Sequence, residues 1–175
     1  MASSGAQSLG FDWGKNDEIP IDPLSPSFTS EQFAKAQKML HVITADPNLK
    51  IIFEQNFNMK EAVKIYKVHK LKTDFYKQHH KKKILNELDE KAIREIDEKD
   101  SLFMEFAARN GTRHTRVTLE KEILEQANKR NQEMLKYLRQ QPGVTRKNVK
   151  ITTAPRKDLV KDKGKPAYKI TLDVN

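Results

Sequence analysis

The chain contains no cysteine, which excludes disulfide frameworks, cysteine-ligated zinc and thiol nucleophiles. Glycine is scarce: six residues, of which Gly5, Gly10 and Gly14 fall near the start. No glycine-rich phosphate cradle can be assembled, because Gly164-Lys165 lacks the upstream glycine and the preceding strand that such a loop needs. The five histidines offer no i, i+4 pair; His79 and His80 are adjacent and point about 100° apart on a helix, too far to share a metal. The acids Asp97, Glu98, Asp100 and Glu105 lack calcium-loop spacing. No apolar run approaches the roughly 20 residues of a membrane span, and no basic-plus-apolar leader opens the chain. Neither catalysis nor a cofactor nor a metal is expected. The expected location is intracellular, in the cytoplasm or within an assembled particle.

What the chain has in quantity is charge. Lys and Arg number 33 against 24 Asp and Glu, a net charge of +9 over 175 residues, and charged residues make up 33% beside 37% apolar ones. A chain of this size can bury one ordinary core, but the low apolar share suits an elongated or assembly-dependent helical protein. The positive balance speaks to partners, drawing phosphates or acidic proteins, and not to fold.

Residues 1–28 read as an extended, non-regular arm, with glycines followed by Pro20, Pro23 and Pro26. Phe11, Trp13, Ile21, Leu24 and Phe28 punctuate it as candidate docking anchors. Residues 29–142 read as helical. Thr29 and Gln32 have capping-box spacing, and Phe33, Ala36, Leu40 and Ile43 share a face. Leu49, Ile52, Phe53 and Phe57 suggest a second, short helix. From Met59 to Lys99 the apolar stripe (Ile65, Val68, Leu71, Phe75, Tyr76, then Leu85, Leu88, Ala92, Ile96) shifts around the wheel, so a break is expected near 79–83. Ser101 to Arg109 forms another helix, for which Asn110-Gly111 supplies a left-handed stop. Thr118 then caps the last helix, whose stripe of Leu119, Ile123, Ala127, Met134 and Leu138 is interrupted by Arg130.

Residues 143–175 change to a two-residue period. Val149, Ile151 and Thr153 alternate with lysine and threonine, and Tyr168, Ile170, Leu172 and Val174 do the same. Two strands joined by a basic loop make a small C-terminal hairpin, which must lie on the helices or join a sheet from another chain. The fold class expected is thus mainly α: amphipathic helices, an extended arm and a minor hairpin.

Charge alternates by block. Residues 58–83 carry nine bases and two acids, whereas 84–109 carry four bases and eight acids. Two functions fit. In one, oppositely charged blocks on neighbouring subunits set the register of an assembly, as in a virion or other multi-protein particle. The arm would dock, the helices would pack, and Tyr168, Ile170 and Leu172 would add a strand to a partner. In the alternative, the protein binds DNA or RNA without sequence preference. Its contacts would be Lys67, Lys70, Lys77, Lys81, Lys82 and Lys83 on the long helix, Arg113 and Arg116 in a turn, and Lys161, Lys163 and Lys165 in the C-terminal loop. Assembly with other protein subunits is the leading expectation.

Overall fold

The computed structural model describes residues 18–46 and 48–174. Its architecture is α+β, 53% helix with 15% strand in a four-stranded mixed sheet, which corrects the mainly α expectation. In chain order the elements are β1 (Glu18–Pro20), α1 (Ser30–Met39), α2 (His41–Ala45), β2 (Leu49–Asn56), α3 (Met59–His80), α4 (Glu87–Glu95) and α5 (Ser101–Asn110). They continue with α6 (Arg116–Leu138), β3 (Val149–Thr153), α7 (Arg156–Leu159) and β4 (Ala167–Val174). The chain divides into a sheet unit, residues up to Met59 together with Leu124 onward, and a helical unit, Lys60–Ile123.

In the sheet unit the strand order is β1-β4-β2-β3. β4 runs antiparallel to both β1 and β2, with Tyr168 opposite Ile19 and Gln55, and Ile170 opposite Phe53. β3 runs parallel to β2, pairing Val149 with Ile51 and Ile151 with Phe53. The expected hairpin between β3 and β4 therefore does not exist, because β2 lies between them. Nor is 49–57 a helix. Ile51, Phe53 and Gln55 are buried in alternation while Ile52 and Glu54 are not, the two-residue period of a strand. The segment around Glu18–Pro20, read as irregular, supplies the short edge strand β1.

One face of this sheet is covered. Ile19, Ile51, Phe53, Val149, Tyr168 and Ile170 form a core with Ala36 and Met39 of α1, Leu40 and Ile43 beyond it, and Met134 and Leu138 of α6. Helix α1 starts with the expected capping box: the Thr29 side chain accepts from the Gln32 backbone amide, and Gln32 Oε1 accepts from the Thr29 backbone amide. Phe33 stacks on Tyr137 at 4.2 Å between ring centroids, and Phe28 lies 5.3 Å from Phe33 and 5.9 Å from Tyr168. Leu119, Ile123, Ala127, Met134 and Leu138 are all buried along α6, and Arg130 occupies the gap in their stripe at 2% exposure. This helix begins earlier than Thr118: the Thr118 amide donates to Thr115 Oγ1 at 3.3 Å, so Thr115 makes the capping contact.

The helical unit has its own core of Leu71, Phe103 and Phe106, with Phe75, Ile96 and Ala107 against it. Phe75 meets Phe103 and Phe106 edge-on at 5.6 and 5.5 Å. Helix α3 stops inside the histidine–lysine run, where Lys81 takes a positive φ of 51°. The buried face of α3 differs from its apolar stripe. Ala62, Tyr66 and Lys72 are buried, whereas Ile65 is exposed. Lys72 is tolerated there because its ammonium reaches Glu98 at 3.2 Å. Likewise α4 buries Asp89 and Ile93 and leaves Leu88 in solvent. Asp100 caps α5, accepting from the Leu102 and Phe103 amides at 2.9 and 3.0 Å. At its other end Gly111 stays right-handed at φ −59°, in place of the left-handed stop. The Asn110 side chain instead donates to the Phe106 carbonyl at 2.8 Å, meeting the same need for a partner at a helix end.

Candidate interaction surfaces

Two polar constructions hold surface segments in place. In the sheet unit, Arg130 Nε donates to Gln55 Oε1 at 2.7 Å. Its Nη1 donates to the carbonyls of Asp22, Pro23 and Ser25 at 2.9, 3.0 and 3.2 Å, tying the segment after β1 to α6. Gln55 Nε2 in turn donates to the Ala127 carbonyl and to Asn131 Oδ1, both at 3.0 Å. The Tyr168 hydroxyl donates to the same Asn131 oxygen at 2.7 Å, and Asn131 Nδ2 donates to Thr153 Oγ1 at 3.0 Å. The network thereby joins α6 to β2, β3 and β4. Burial pushes the Tyr168 phenol well above its ordinary range, with Arg130 pulling weakly the other way, so Tyr168 stays neutral and keeps its proton to donate.

In the helical unit the anchor is Asp89. Its Oδ1 accepts from Lys82 Nζ at 2.6 Å and from the Tyr76 hydroxyl at 2.8 Å, and its Oδ2 accepts from the Asn86 amide at 3.0 Å. Asn86 Oδ1 receives the Asp89 amide at 2.9 Å, completing a capping box at the start of α4. The Lys82 bond first, then those from the Asn86 backbone and Tyr76, hold the Asp89 carboxyl down at about 2. Hydrogen bonding to Asp89 correspondingly raises both Tyr76 and Lys82. The consequence is mechanical: the Lys81–Leu85 loop is fastened to α3 and α4.

The candidate contact residues distribute unevenly. Phe11 and Trp13 lie outside the described residues. Ile21, Tyr168 and Ile170 are buried in this chain's own core, with Phe28 and Leu172 packed against it and Leu24 half-buried. β4 is paired to β2 along its whole length and to β1 at Ala167–Lys169, so its strand-forming groups are mostly used within the chain. Of the cations on the helical unit, Lys70 pairs with Glu122 at 2.7 Å, Lys82 with Asp89, and Arg116 with Glu120 at 2.7 Å. Lys67 and Lys77 are half-buried along α3, and Lys81, Lys83 and Arg113 are exposed. Lys161, Lys163 and Lys165 are exposed between α7 and β4 in the sheet unit.

Other features were missed in the sequence. Ile84 is 87% exposed, Val117 80% and Leu88 76%, with Leu102 at 59% and Met104 at 55%; all five belong to the helical unit. Along the start of α4, an open groove of about 510 Å³ is lined by Leu85, Asn86, Glu87, Glu90, Lys91 and Arg94. Only the drift of the stripe across Leu85–Ile96 hinted that these apolar residues lack an internal partner. Among the described residues no cluster of three histidine or carboxylate side chains could hold a metal ion, and no helix is long and apolar enough to cross a membrane. No protein-family model, curated protein or solved structure matches this chain.

Proposed function

We propose that the protein is a non-enzymatic assembly subunit, and that its helical unit docks against a second copy of the chain. The observation that carries this reading is the concentration of large exposed apolar side chains within residues 60–123. Ile84 and Leu88 are the most useful pair, because they lie within five residues of each other, Ile84 in the loop before α4 and Leu88 in its first turn. Scattered apolar residues on a surface are ordinary, but a basic loop that is fastened down and tipped with Ile84 is a poor way to hide from water.

The choice of a second copy rests on charge. The helical unit carries both signs in separate stretches, nine bases and two acids over 58–83 against four bases and eight acids over 84–109. Lys72–Glu98 and Lys82–Asp89 already join the two stretches within one chain. The charges left for a partner are those outside these pairs, such as Lys77, Lys81 and Lys83 against Glu87 and Glu95. Under a two-fold axis each such group on one subunit faces the opposite sign on the other. The apolar pair supplies the attraction and the charges supply the register.

Light scattering after size exclusion tests this directly. The wild type is expected as a discrete oligomer that loosens at high salt, and Ile84→Asp with Leu88→Asp is expected as a monomer with unchanged helical signal. Both side chains project into solvent, so the pair of substitutions spares the fold. A wild type that remains monomeric at every accessible concentration and salt overturns the reading.

A further inference from the structure

The helical unit neutralises much of its own positive charge, through Lys70–Glu122, Lys72–Glu98, Lys82–Asp89 and Arg116–Glu120. The sheet unit does not. Between Val144 and Pro166 it carries Arg146, Lys147, Lys150, Lys157, Lys161, Lys163 and Lys165 beside Arg156, all exposed, against only Asp158 and Asp162. Of these two acids, Asp162 is turned inward: Oδ1 accepts from the Gly164 amide at 2.7 Å and Oδ2 lies 3.7 Å from Lys169. Arg146, Lys147, Lys150, Lys157, Lys161, Lys163 and Lys165 carry no ion pair among the described residues.

The fold arranges part of this charge in a line. β3 is an edge strand, paired with β2 on one side and with no strand on the other among the described residues. Arg146 and Lys147 precede it, Lys150 projects from its middle, and Arg156 and Lys157 follow it on α7. The ladder bonds from Ile51 N to Asn148 O and from Ala154 N to Gln55 O set the alternation of the strand. They direct the N–H and C=O groups of Val149, Ile151 and Thr153 to the open side, where the N–H groups are neutral donors between the cations and the carbonyls are left to water. The strand itself spans roughly 13 Å, the axial length of about four phosphates on one strand of a duplex.

We propose that this edge, from Arg146 to Lys157, together with the Lys161–Lys165 loop that follows α7, binds the phosphate backbone of double-stranded nucleic acid without reading its sequence. Two features select the duplex. The cations are mostly lysine, which acts as a point charge on phosphate and gives little of the bidentate base recognition that arginine provides. Among the described residues, the face of the sheet turned away from its core presents Lys50, Ile52, Glu54, Lys150, Thr152, Lys169, Thr171 and Asp173, with no aromatic ring on which unpaired bases could stack. This surface is independent of the docking pair on the helical unit.

The test is fluorescence anisotropy of a labelled random-sequence DNA duplex of about two helical turns, titrated with the full chain between about 50 and 200 mM salt. With five to seven contacts, the logarithm of the binding constant is expected to fall against the logarithm of salt with a slope of about −4.5 to −6.3. Combining Arg146→Gln, Lys147→Gln, Lys150→Gln and Lys157→Gln reduces that slope by about 3.6 and weakens binding at fixed salt at least 100-fold. All four positions are exposed, and circular dichroism checks that the fold is kept. A matched set on the helical unit, Lys67→Gln, Lys77→Gln, Lys81→Gln and Lys83→Gln, leaves the slope within about one unit of wild type. Absence of binding at low salt, or loss of binding in the helical-unit set instead, overturns the proposal. So does a single strand of the same length that binds more tightly, or polyglutamate that displaces the duplex at equal charge.

Discussion

Replacing Arg130 with methionine isolates the contribution of one buried guanidinium. Methionine keeps much of the aliphatic volume that fills the stripe between Ala127 and Met134, so the change removes hydrogen bonds more than packing. Four acceptors lose a donor: Gln55 Oε1 and the carbonyls of Asp22, Pro23 and Ser25. Gln55 is fully buried, and leaving its oxygen unpaired costs about 1–3 kcal/mol. The three carbonyls belong to a partly exposed segment that water can reach, so together they add about 1 kcal/mol more. Opposing these is the desolvation of the guanidinium, which methionine does not bear. With at least four hydrogen bonds satisfying the charge, the hydrogen-bond loss wins, and a net loss of about 2–4 kcal/mol is expected. That corresponds to a fall in Tm of about 5–15 °C for a chain of this length. Urea unfolding followed by far-ultraviolet circular dichroism measures it, and a cycle with Gln55→Leu should show coupling above about 1 kcal/mol. A loss below about 0.5 kcal/mol, or a gain, would refute the reasoning by showing that desolvation outweighs the bonds.

Two smaller changes probe the remaining anchors. For Asp89→Asn, the stability difference from wild type is expected to be full at pH values above the ordinary carboxyl value of 3.8 and to vanish as pH falls through about 2, because the folded state holds this carboxyl low and loses the advantage on protonation; urea midpoints from pH 7 to pH 2 check it, and a difference that persists unchanged at the acid end counts against the Lys82–Asp89–Tyr76 lock. Thr29→Ala removes the side-chain bond to the Gln32 amide, with an expected loss of about 1 kcal/mol by urea unfolding, and no measurable loss would mean that water caps α1 equally well.

The sequence was most readable where one element buries one continuous apolar face. Helix α6 is the clear case: every member of its stripe is buried, and the interruption at Arg130 was itself a signal, since the guanidinium takes its place in that stripe. β4 was equally plain from alternation alone. β2 was misread because its third inward residue is Gln55, a polar side chain satisfied by Arg130, Ala127 and Asn131. Without a third apolar signal the two-residue period dissolved, and Leu49, Ile52, Phe53 and Phe57 matched a helical spacing by default. The hairpin expectation failed for a different reason. Strands adjacent in sequence usually pair, but β2 binds β3 on one edge and β4 on the other, a preference set by long-range contacts that local pattern does not encode. The surface was legible in its charge and not in its neutralisation: Lys70, Lys82 and Arg116 looked as available as Lys161 until their partners were placed beside them.

The placement of β4 in the sheet bears on how the chain is made. β4 is the last described element to leave the ribosome, yet it is the strand to which β1 and β2 both bind. Until it emerges, β1 has no pairing partner and β2 has only β3, so Ile19, Phe53 and their neighbours wait with one edge unfilled. The helical unit, encoded between β2 and β3, can complete its own core of Leu71, Phe103 and Phe106 during that interval. Synthesis would thus finish the inserted part before the part into which it is inserted, and a chain stopped just short of residue 167 would carry a finished helical core and a sheet lacking one of its two inner strands.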